Sequence, residues 1–239
     1  MKLGIIPALD EKDRIGAVIN RTRPFLDKLV VCDDGSIDGT GEVAKRLGVE
    51  VIRHPKRLGY GAALHTLFLR AMQLKADATV TIDADGQHDP ESIPLLTRPV
   101  LEGKADLVVG SRFIDHKSTI PTKRLFGILL VTKLTQLMTR RKMTDSQCGL
   151  RCYSSRALKS VLPHARGMGA SLEILLLAHR NGLRVIEAPT DVSYNGESDS
   201  SHDSISHMMN LLFTLFRSGL IQSTRVNPEL DSIDRFAPS

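Results

Sequence analysis

Short apolar runs recur along the first half of this 239-residue chain, and longer stretches with the spacing of amphipathic helices separate them. Several runs are apolar at every position, which is typical of strands buried on both faces of a sheet. The runs predict five strands, over residues 3–6, 29–32, 51–53, 79–82 and 107–109. The intervening stretches predict helices over 12–23, 40–47, 62–74 and 90–102. This alternation predicts an α/β fold with a mainly parallel central sheet and right-handed crossovers.

The second half has a different pattern, with more helix and less strand. It predicts helices over 122–139, 154–161, 171–181 and 205–220, and a strand over 184–188. Residues 196–204 are polar and predict a mobile loop, and the tail from 226 onward is expected to fray.

Charge is unevenly distributed, although the composition (41% hydrophobic, 25% charged) is that of an ordinary globular protein. Residues 116–144 hold seven Lys or Arg and no acid; with a net charge of +5, the rest of the chain carries 5 − 7 = −2. A basic segment of this kind indicates an anionic surface or ligand nearby. The three cysteines are few and odd in number, which argues against a disulfide framework, so reduced thiols are expected. No apolar run approaches the roughly 18 residues of a membrane span, and no signal peptide is evident, so a cytosolic protein is expected.

The predicted helix 122–139 allows two interpretations. An apolar stripe formed by Phe126, Leu130, Leu134, Leu137 and Met138 is widened by Leu125, Ile128 and Leu129, while Lys133 and Arg140 lie toward another side. Such a helix can lie in a membrane interface with its cations near lipid headgroups. It can equally pack its stripe against the core and leave a solvated basic face. The predicted helix 205–220 is a candidate neighbour for it.

Polar residues follow the predicted strands at the edge where parallel sheets bind ligands. Asp83-Ala84-Asp85 offers two carboxylates one residue apart, which suit a hard divalent cation whose shell phosphate oxygens complete. A solvated acidic turn is the alternative. Adjacent Asp33 and Asp34 repel each other and gain nothing as helix caps, so a ligand with hydrogen-bond donors is one explanation and a structural role the other.

Two further features of this edge are less specific. Ser36 or Asp38 is expected to cap the helix that follows the second strand. Gly59 and Gly61 open the next helix, where small residues permit close backbone approach and a helix N-terminus favours anions. Glycine turns precede many helices, so this pattern alone decides nothing.

Taken together, these motifs resemble family 2 glycosyltransferases of the GT-A fold. The resemblance rests on Pro7 with Asp10-Glu11, the run from Asp33 to Thr40, Gly59-x-Gly61, Asp83-x-Asp85-Gly-Gln87-His88-x-Pro90 and Gly110-Ser111-Arg112. Residues 144–151, Glu173 and the 187–194 stretch are similar to the dolichol-phosphate mannose and glucose synthase branch. The resemblance implies one GT-A domain over 1–225, with a nucleotide-sugar half over about 1–112, an acceptor half over about 113–225 and a flexible tail over 226–239.

The resemblance also implies roles for individual residues. The donor site would include Pro7, Asp10, Glu11, Asp33, Asp34, Gly59, Asp83 and Ala84. Mg²⁺ or Mn²⁺ would be held by Asp83, Asp85 and Gln87. The catalytic group would be Asp85 at the metal, Arg112 and Arg124 on phosphate charge, and Asp145 near the transferred sugar. The chain departs from the family pattern at Leu9-Asp10, where an aromatic residue and Asn are usual, and at 194–202, which lacks the usual Arg and Lys.

The resulting hypothesis is an inverting hexosyltransferase that uses a UDP- or GDP-sugar donor and a polyprenyl or dolichyl phosphate acceptor. A phosphate acceptor is already an anion and needs no general base. The alternatives are a glycan hydroxyl acceptor, which would need a base near Asp145 or Glu173, and a nucleotide-sugar-binding protein without turnover. A nucleotidyltransferase is more distant. The expected location is the cytosolic face of a membrane, as a peripheral protein with a possible homo-oligomer or membrane-protein partner and no nucleic acid.

Overall fold

The computed structural model describes residues 1–115 and 120–193, which build a seven-stranded sheet. Its order is β3-β2-β1-β4-β6-β5-β7, and β6 alone runs antiparallel to its neighbours β4 and β5. The strands are β1 Lys2–Ala8, β2 Lys28–Asp33, β3 Glu50–Arg53, β4 Ala78–Thr81, β5 Leu107–Ser111, β6 Arg151–Ser154 and β7 Val185–Pro189. The predicted α/β fold with a mainly parallel sheet is confirmed. Strand β6 was not predicted, because its four residues begin with Arg151 and end with Ser154 and form no apolar run.

Seven α-helices cover the sheet within the described residues, and each corresponds to a predicted one. They are α1 Lys12–Thr22, α2 Thr40–Arg46, α3 Tyr60–Gln73, α4 Ile93–Leu101, α5 Thr122–Thr139, α6 Ser155–Ser160 and α7 Ala170–Arg180, with short 3-10 turns at Arg23–Phe25 and Pro90–Ser92. The core follows the central strands, where Ile5, Val30, Val80 and Val108 are fully buried. This is the both-faces burial that the unbroken apolar runs predicted.

The antiparallel strand β6 determines what meets at the ligand edge. The six parallel strands all end at one edge, whereas β6 begins there, with Arg151 opposite Thr81 of β4. The segment that enters β6, residues 144–150, therefore lies beside the loop that leaves β4. Residues far apart in sequence are brought together at the carboxyl edge for this reason.

Helix α5 exposes most of the apolar stripe that the sequence predicted. Its buried face consists of Ile128, Val131, Thr132, Thr135 and Thr139. The hydroxyls of Thr135 and Thr139 donate to backbone carbonyls one turn back, so their burial leaves no unpaired donor. The exposed residues are Phe126, Leu129, Leu130, Leu137 and Met138, with Phe126 at 71% and Leu137 at 75%. The interpretation of the whole stripe as core packing is therefore wrong; Ile128 alone of its members is fully buried.

Several predictions lie outside the described residues. They are the mobile loop over 196–204, the helix over 205–220, and the end of the domain at 225 with its tail. Within the described ranges, no helix is both long enough and apolar enough to cross a membrane.

Candidate active site

The loops that follow β1 and β2 are joined by hydrogen bonds into one surface. Pro7 is buried near the end of β1 beside Cys32 of β2. Asp10, with a left-handed backbone (φ 53°), begins the exposed part of the first loop. Four bonds join the loops: Asp10 N to Ser36 Oγ (3.0 Å), Ile37 N to Asp10 Oδ1 (3.0 Å), Glu11 N to Thr40 Oγ1 (2.8 Å) and Lys12 N to Asp38 Oδ2 (2.9 Å). Two predicted donor residues, Asp10 and Glu11, are thus held in fixed positions.

Asp34 has a structural function that the sequence did not suggest. It is buried, and its carboxylate accepts from His54 Nδ1 (2.7 Å) and from the backbone amides of Leu58 (2.9 Å) and Gly59 (2.8 Å). It therefore ties the end of β2 to the turn that opens α3. The argument that such a carboxylate gains nothing structurally is wrong for Asp34, and its contact with the donor stays a prediction.

Asp33 is also fully buried. Its Oδ1 accepts from Ser36 N (2.8 Å), and its Oδ2 lies 3.5 Å from Arg53 Nε. Gly41 is needed beside it, because a Cβ there would lie only 2.4 Å from Asp33 Oδ2. Asp33 thus shapes the loop after β2 from within, and its predicted contact with the base is untested.

The glycines that open α3 accommodate another part of this chain. A Cβ on Gly59 would lie 2.4 Å from the carbonyl oxygen of Arg166, and one on Gly61 would lie 1.8 Å from that of Ala165. Gly61 N donates to Arg166 O (2.7 Å), which caps the helix start. Gly59 also has a positive φ of 106° that favours glycine. The close backbone approach predicted here is made by residues 165–166.

The Asp83-Ala84-Asp85 loop leaves β4 at the carboxyl edge, where Ala84 is buried and both carboxylates are partly exposed. Asp83 accepts from His88 Nε2 (3.1 Å) and from the Tyr60 hydroxyl (3.4 Å). Burial alone would raise the pKa of Asp83, but the hydrogen bonds from His88 and Tyr60 hold that pKa below its usual value. Burial and the Asp83 charge raise the pKa of Tyr60, so the hydroxyl stays protonated and donates.

The acidic loop fits the donor set of a divalent cation. Asp85 Oδ1 accepts from Gln87 N (3.0 Å), which closes a short turn after the second carboxylate. Gly149 leaves room for Asp83, since a Cβ there would lie 2.0 Å from Asp83 Oδ2. No cluster of three or more His, Cys, Asp or Glu suited to a metal occurs in 1–115 or 120–193. Oxygen ligands from a bound diphosphate would therefore have to complete the shell.

Arg112 and Asp145 are brought together as a buried ion pair. The guanidinium of Arg112 donates twice to the Asp145 carboxylate, Nε to Oδ2 at 2.5 Å and Nη2 to Oδ1 at 2.7 Å. Glu187 of β7 holds the same segment, because it accepts from Thr144 N, Thr144 Oγ1 and Asp145 N. Asp145 is fully buried and Arg112 nearly so. Arg124, the other predicted phosphate-binding arginine, lies on the exposed side of the first turn of α5.

Four residues of this site received no role from the sequence. Tyr60 and His88 fix Asp83, Gly149 makes room for it, and Arg151 is buried beneath the same segment. His88 also forms an antiparallel bridge with Val192. His88, Gly149 and Arg151 all lie in family motifs, and that was the available signal. The contacts of Gly149 and Arg151 depend on the position of β6.

The fold and the acidic loop at its carboxyl edge define a GT-A glycosyltransferase. The chain belongs to the family described as glycosyl transferase family 2, whose sequence model matches residues 5–162. It is 34% identical over 212 residues to the UDP-N-acetylglucosamine–dolichyl-phosphate N-acetylglucosaminyltransferase of Methanococcus voltae (80% of this chain, 84% of that one). It is 31% identical over 200 residues to the undecaprenyl-phosphate mannosyltransferase of Micrococcus luteus (78% and 81%).

A solved structure shares the fold. The glucosyl-3-phosphoglycerate synthase of Mycobacterium tuberculosis, in complex with Mn²⁺, UDP and phosphoglyceric acid, superposes with a TM-score of 0.73. The two chains are 22% identical, and the match covers 94% of this chain and 80% of that one. The predicted family and fold are therefore confirmed, and the donor, acceptor and metal are left to the proposal below.

Proposed function

We propose that this protein transfers a hexose from a UDP- or GDP-sugar to a polyprenyl or dolichyl phosphate, with inversion and with Mg²⁺ or Mn²⁺. The observation that carries the proposal is the Asp83-Ala84-Asp85 loop at the carboxyl edge, where Asp83 lies against Gly149. The segments proposed to bind the donor and the acceptor would therefore meet at Asp83. The names of the relatives support the class of acceptor, since two of them use lipid phosphates.

In this proposal the metal is held by Asp83 and Asp85, with Gln87 beside them. When bound, it neutralises charge on the departing nucleoside diphosphate. Asp83 stays ionised near neutral pH despite burial, because the hydrogen bonds from His88 and Tyr60 keep its pKa from rising. Tyr60 and His88 hold its carboxylate in place before any ligand arrives, which lowers the cost of ordering the site on binding.

The joined loops after β1 and β2 form the proposed wall of the nucleotide pocket. Asp10 and Glu11 belong to this wall, where their amides donate to Ser36 and Thr40, and Pro7 is buried in β1 just before it. Asp33, Asp34 and Gly59 belong to the same region; in this proposal the two aspartates fix the shape of the wall from within. The proposal covers both UDP- and GDP-linked sugars as donors.

A hydroxyl acceptor would need a base near Asp145 or Glu173, and both carboxylates already have partners. Asp145 is neutralised by Arg112, and Glu173 Oε2 accepts from the backbone amides of His164 (2.9 Å) and Ala165 (2.7 Å). This favours an acceptor that is itself an anion, because a lipid phosphate attacks the anomeric carbon without losing a proton. Arg112 and Asp145 then act by fixing the acceptor segment, and Arg124 is the exposed cation proposed to meet the acceptor phosphate.

Helix α5 is the proposed contact with the membrane that carries the acceptor. Its outward face is apolar, and Lys133, Arg140, Arg141 and Lys142 are exposed along it and just after it. Apolar contact and attraction to anionic headgroups act together on such a surface. We expect co-sedimentation with vesicles that contain anionic lipid, and loss of it in Phe126→Ser/Leu137→Ser. Leu95→Ser on α4, which is 52% exposed, is the control. Equal binding by all three proteins would contradict this contact.

The activity assay incubates the protein with Mn²⁺, labelled UDP- or GDP-hexoses and polyprenyl phosphate in detergent. A lipid-linked sugar is expected for one donor series and should disappear with EDTA. Asp85→Asn should remove metal-dependent turnover, while Asp13→Asn on the exposed side of α1 should leave it intact. If no common donor yields a lipid-linked product, the proposal is wrong. Transfer that persists without lipid phosphate would indicate a glycan hydroxyl acceptor instead.

A further inference from the structure

Arg151 is the largest charged side chain in the interior, with an exposed fraction of 2%. It opens β6 at the carboxyl edge, opposite Thr81 of β4. Its guanidinium donates to three backbone carbonyls: Nε to Cys148 O (2.8 Å), Nη1 to Ser171 O (2.8 Å) and Nη2 to Ser146 O (2.9 Å). One side chain therefore fastens the acceptor segment on both sides of Gln147 and joins it to α7.

The charge of Arg151 is not cancelled by a carboxylate in direct contact. Its partners within residues 1–115 and 120–193 are neutral, namely the three carbonyls and the Tyr153 side chain, whereas Arg112 has the bidentate Asp145. A guanidinium keeps its proton even when buried, and a buried charge without a counter-ion is unfavourable. A function for the positive charge would explain its placement here.

The nearest functional group is the acidic loop. Gly149, which follows the Cys148 carbonyl held by Arg151, lies against the Asp83 carboxylate, and Thr81 Oγ1 donates to Gly149 O (2.7 Å). Through the Cys148 and Ser146 carbonyls, Arg151 therefore lies behind the segment that contacts Asp83.

We propose that Arg151 acts on the donor site through its charge: buried behind residues 146–149, it supplies a permanent positive charge to the metal loop that favours a nucleoside diphosphate. This inference rests on the proposed function. Two carboxylates and a divalent cation sum to zero charge, so a diphosphate that leaves with additional negative charge gains from a fixed cation nearby. The 194–202 stretch, which contains no Lys or Arg, makes such a cation more important.

The sign of the effect separates this role from a purely structural one. A fixed cation attracts the diphosphate but repels the metal ion, so its removal should weaken binding of the first and not of the second. A residue that only held the fold would weaken both together. Binding of Mn²⁺ alone and binding of UDP with Mn²⁺ present are therefore the two measurements that matter.

The experiment compares Arg151→Gln, which loses the charge, with Arg151→Lys, which retains it but loses the fork of donors. Mn²⁺ binding without nucleotide and UDP or GDP binding at saturating Mn²⁺ are measured by titration calorimetry. For Arg151→Gln we expect nucleotide affinity to fall on the order of tenfold while Mn²⁺ binds at least as tightly as before. Arg151→Lys should restore most of the nucleotide affinity. Arg184→Gln is the charge-matched control, at the opposite end of the sheet.

Three results would overturn the inference. They are unchanged nucleotide affinity in Arg151→Gln, an equal loss of Mn²⁺ and nucleotide affinity, and a Lys variant as weak as the Gln variant. If Arg151→Gln does not fold, Arg151→Lys decides alone, and a tenfold loss of nucleotide affinity there refutes the charge effect. A wild-type protein that binds nucleotide but makes no lipid-linked sugar would contradict the proposed acceptor and leave the Arg151 measurements decisive.

Discussion

Replacing Gly149 by alanine tests whether the acceptor segment holds Asp83 in its metal-binding position. A Cβ at 149 would lie 2.0 Å from Asp83 Oδ2 and 2.7 Å from its Cγ. Ordinary contact begins at 3.4 Å, so the two groups must separate by 3.4 − 2.0 = 1.4 Å. Separation breaks an existing contact on either side, because Thr81 holds the carbonyl of Gly149 and His88 holds the carboxylate.

The cost of that separation sets the size of the effect. Forcing one extra carbon into a packed site costs about 1–3 kcal/mol. If the cost falls on the arrangement that binds the metal and the donor, affinity for Mn²⁺ with UDP or GDP should fall about 5- to 150-fold, since about 1.4 kcal/mol corresponds to a factor of ten. Overall folding should be less affected, because the carboxylate is partly exposed and has solvent into which to turn.

Calorimetric titration of Mn²⁺ and nucleotide into Gly149→Ala measures the loss directly, and thermal unfolding measures what falls on the fold. Gly16→Ala is the matched control: it adds the same methyl group on α1, where the nearest atoms are 3.7 and 3.8 Å away. Wild-type affinity in Gly149→Ala would refute the reasoning. It would mean either that Asp83 is not a metal ligand or that its position relative to the acceptor segment is irrelevant to binding.

Two further predictions concern the edges of the site and of the sheet. Arg184 hydrogen bonds hold the pKa of Asp106 below its usual 3.8, so Asp106 stabilises the fold above about pH 4 and loses this effect as the pH falls through its folded pKa. Urea unfolding should show Asp106→Asn less stable by about 1–3 kcal/mol at pH 7, with the difference shrinking toward pH 3; a constant difference would contradict this. Glu187→Gln should weaken the attachment of Thr144 and Asp145 by about 1.5–3 kcal/mol and lower turnover and nucleotide affinity together; a loss of turnover with unchanged nucleotide affinity would contradict the coupling.

The sequence predicted the fold well where periodicity carries the information. Strands β1, β2, β4 and β5 are buried on both faces, and their unbroken apolar runs indicated that burial directly. Strand β6 gave no such signal, because Arg151 looks like a surface residue when its three carbonyl partners are unknown. Its antiparallel insertion between β4 and β5 cannot be inferred from local pattern, since strand order depends on long-range pairing.

The acidic site was predictable as a motif, but its supporting contacts were not. Asp83 and Asp85 were identified from their spacing and their position after a strand. The function of Asp34 was missed because its partner His54 is twenty residues away and fully buried. Arg112 and Asp145 were identified in two different family motifs. Only the three-dimensional structure shows that they form an ion pair with each other. The charged residues of the sequence therefore predicted where the candidate site lies, but not which residues they contact.

Residues 144–151 connect the two halves of the proposed reaction. At one end Asp145 is fixed by Arg112 and Glu187, and at the other Gly149 touches Asp83. Arg151 fastens the middle of the segment to the interior. Eight residues with contacts at both ends and in the middle cannot move at the acceptor end without disturbing the metal loop. We therefore expect changes in this segment to alter donor binding and acceptor use together, whereas changes in the loops after β1 and β2 should alter donor binding alone.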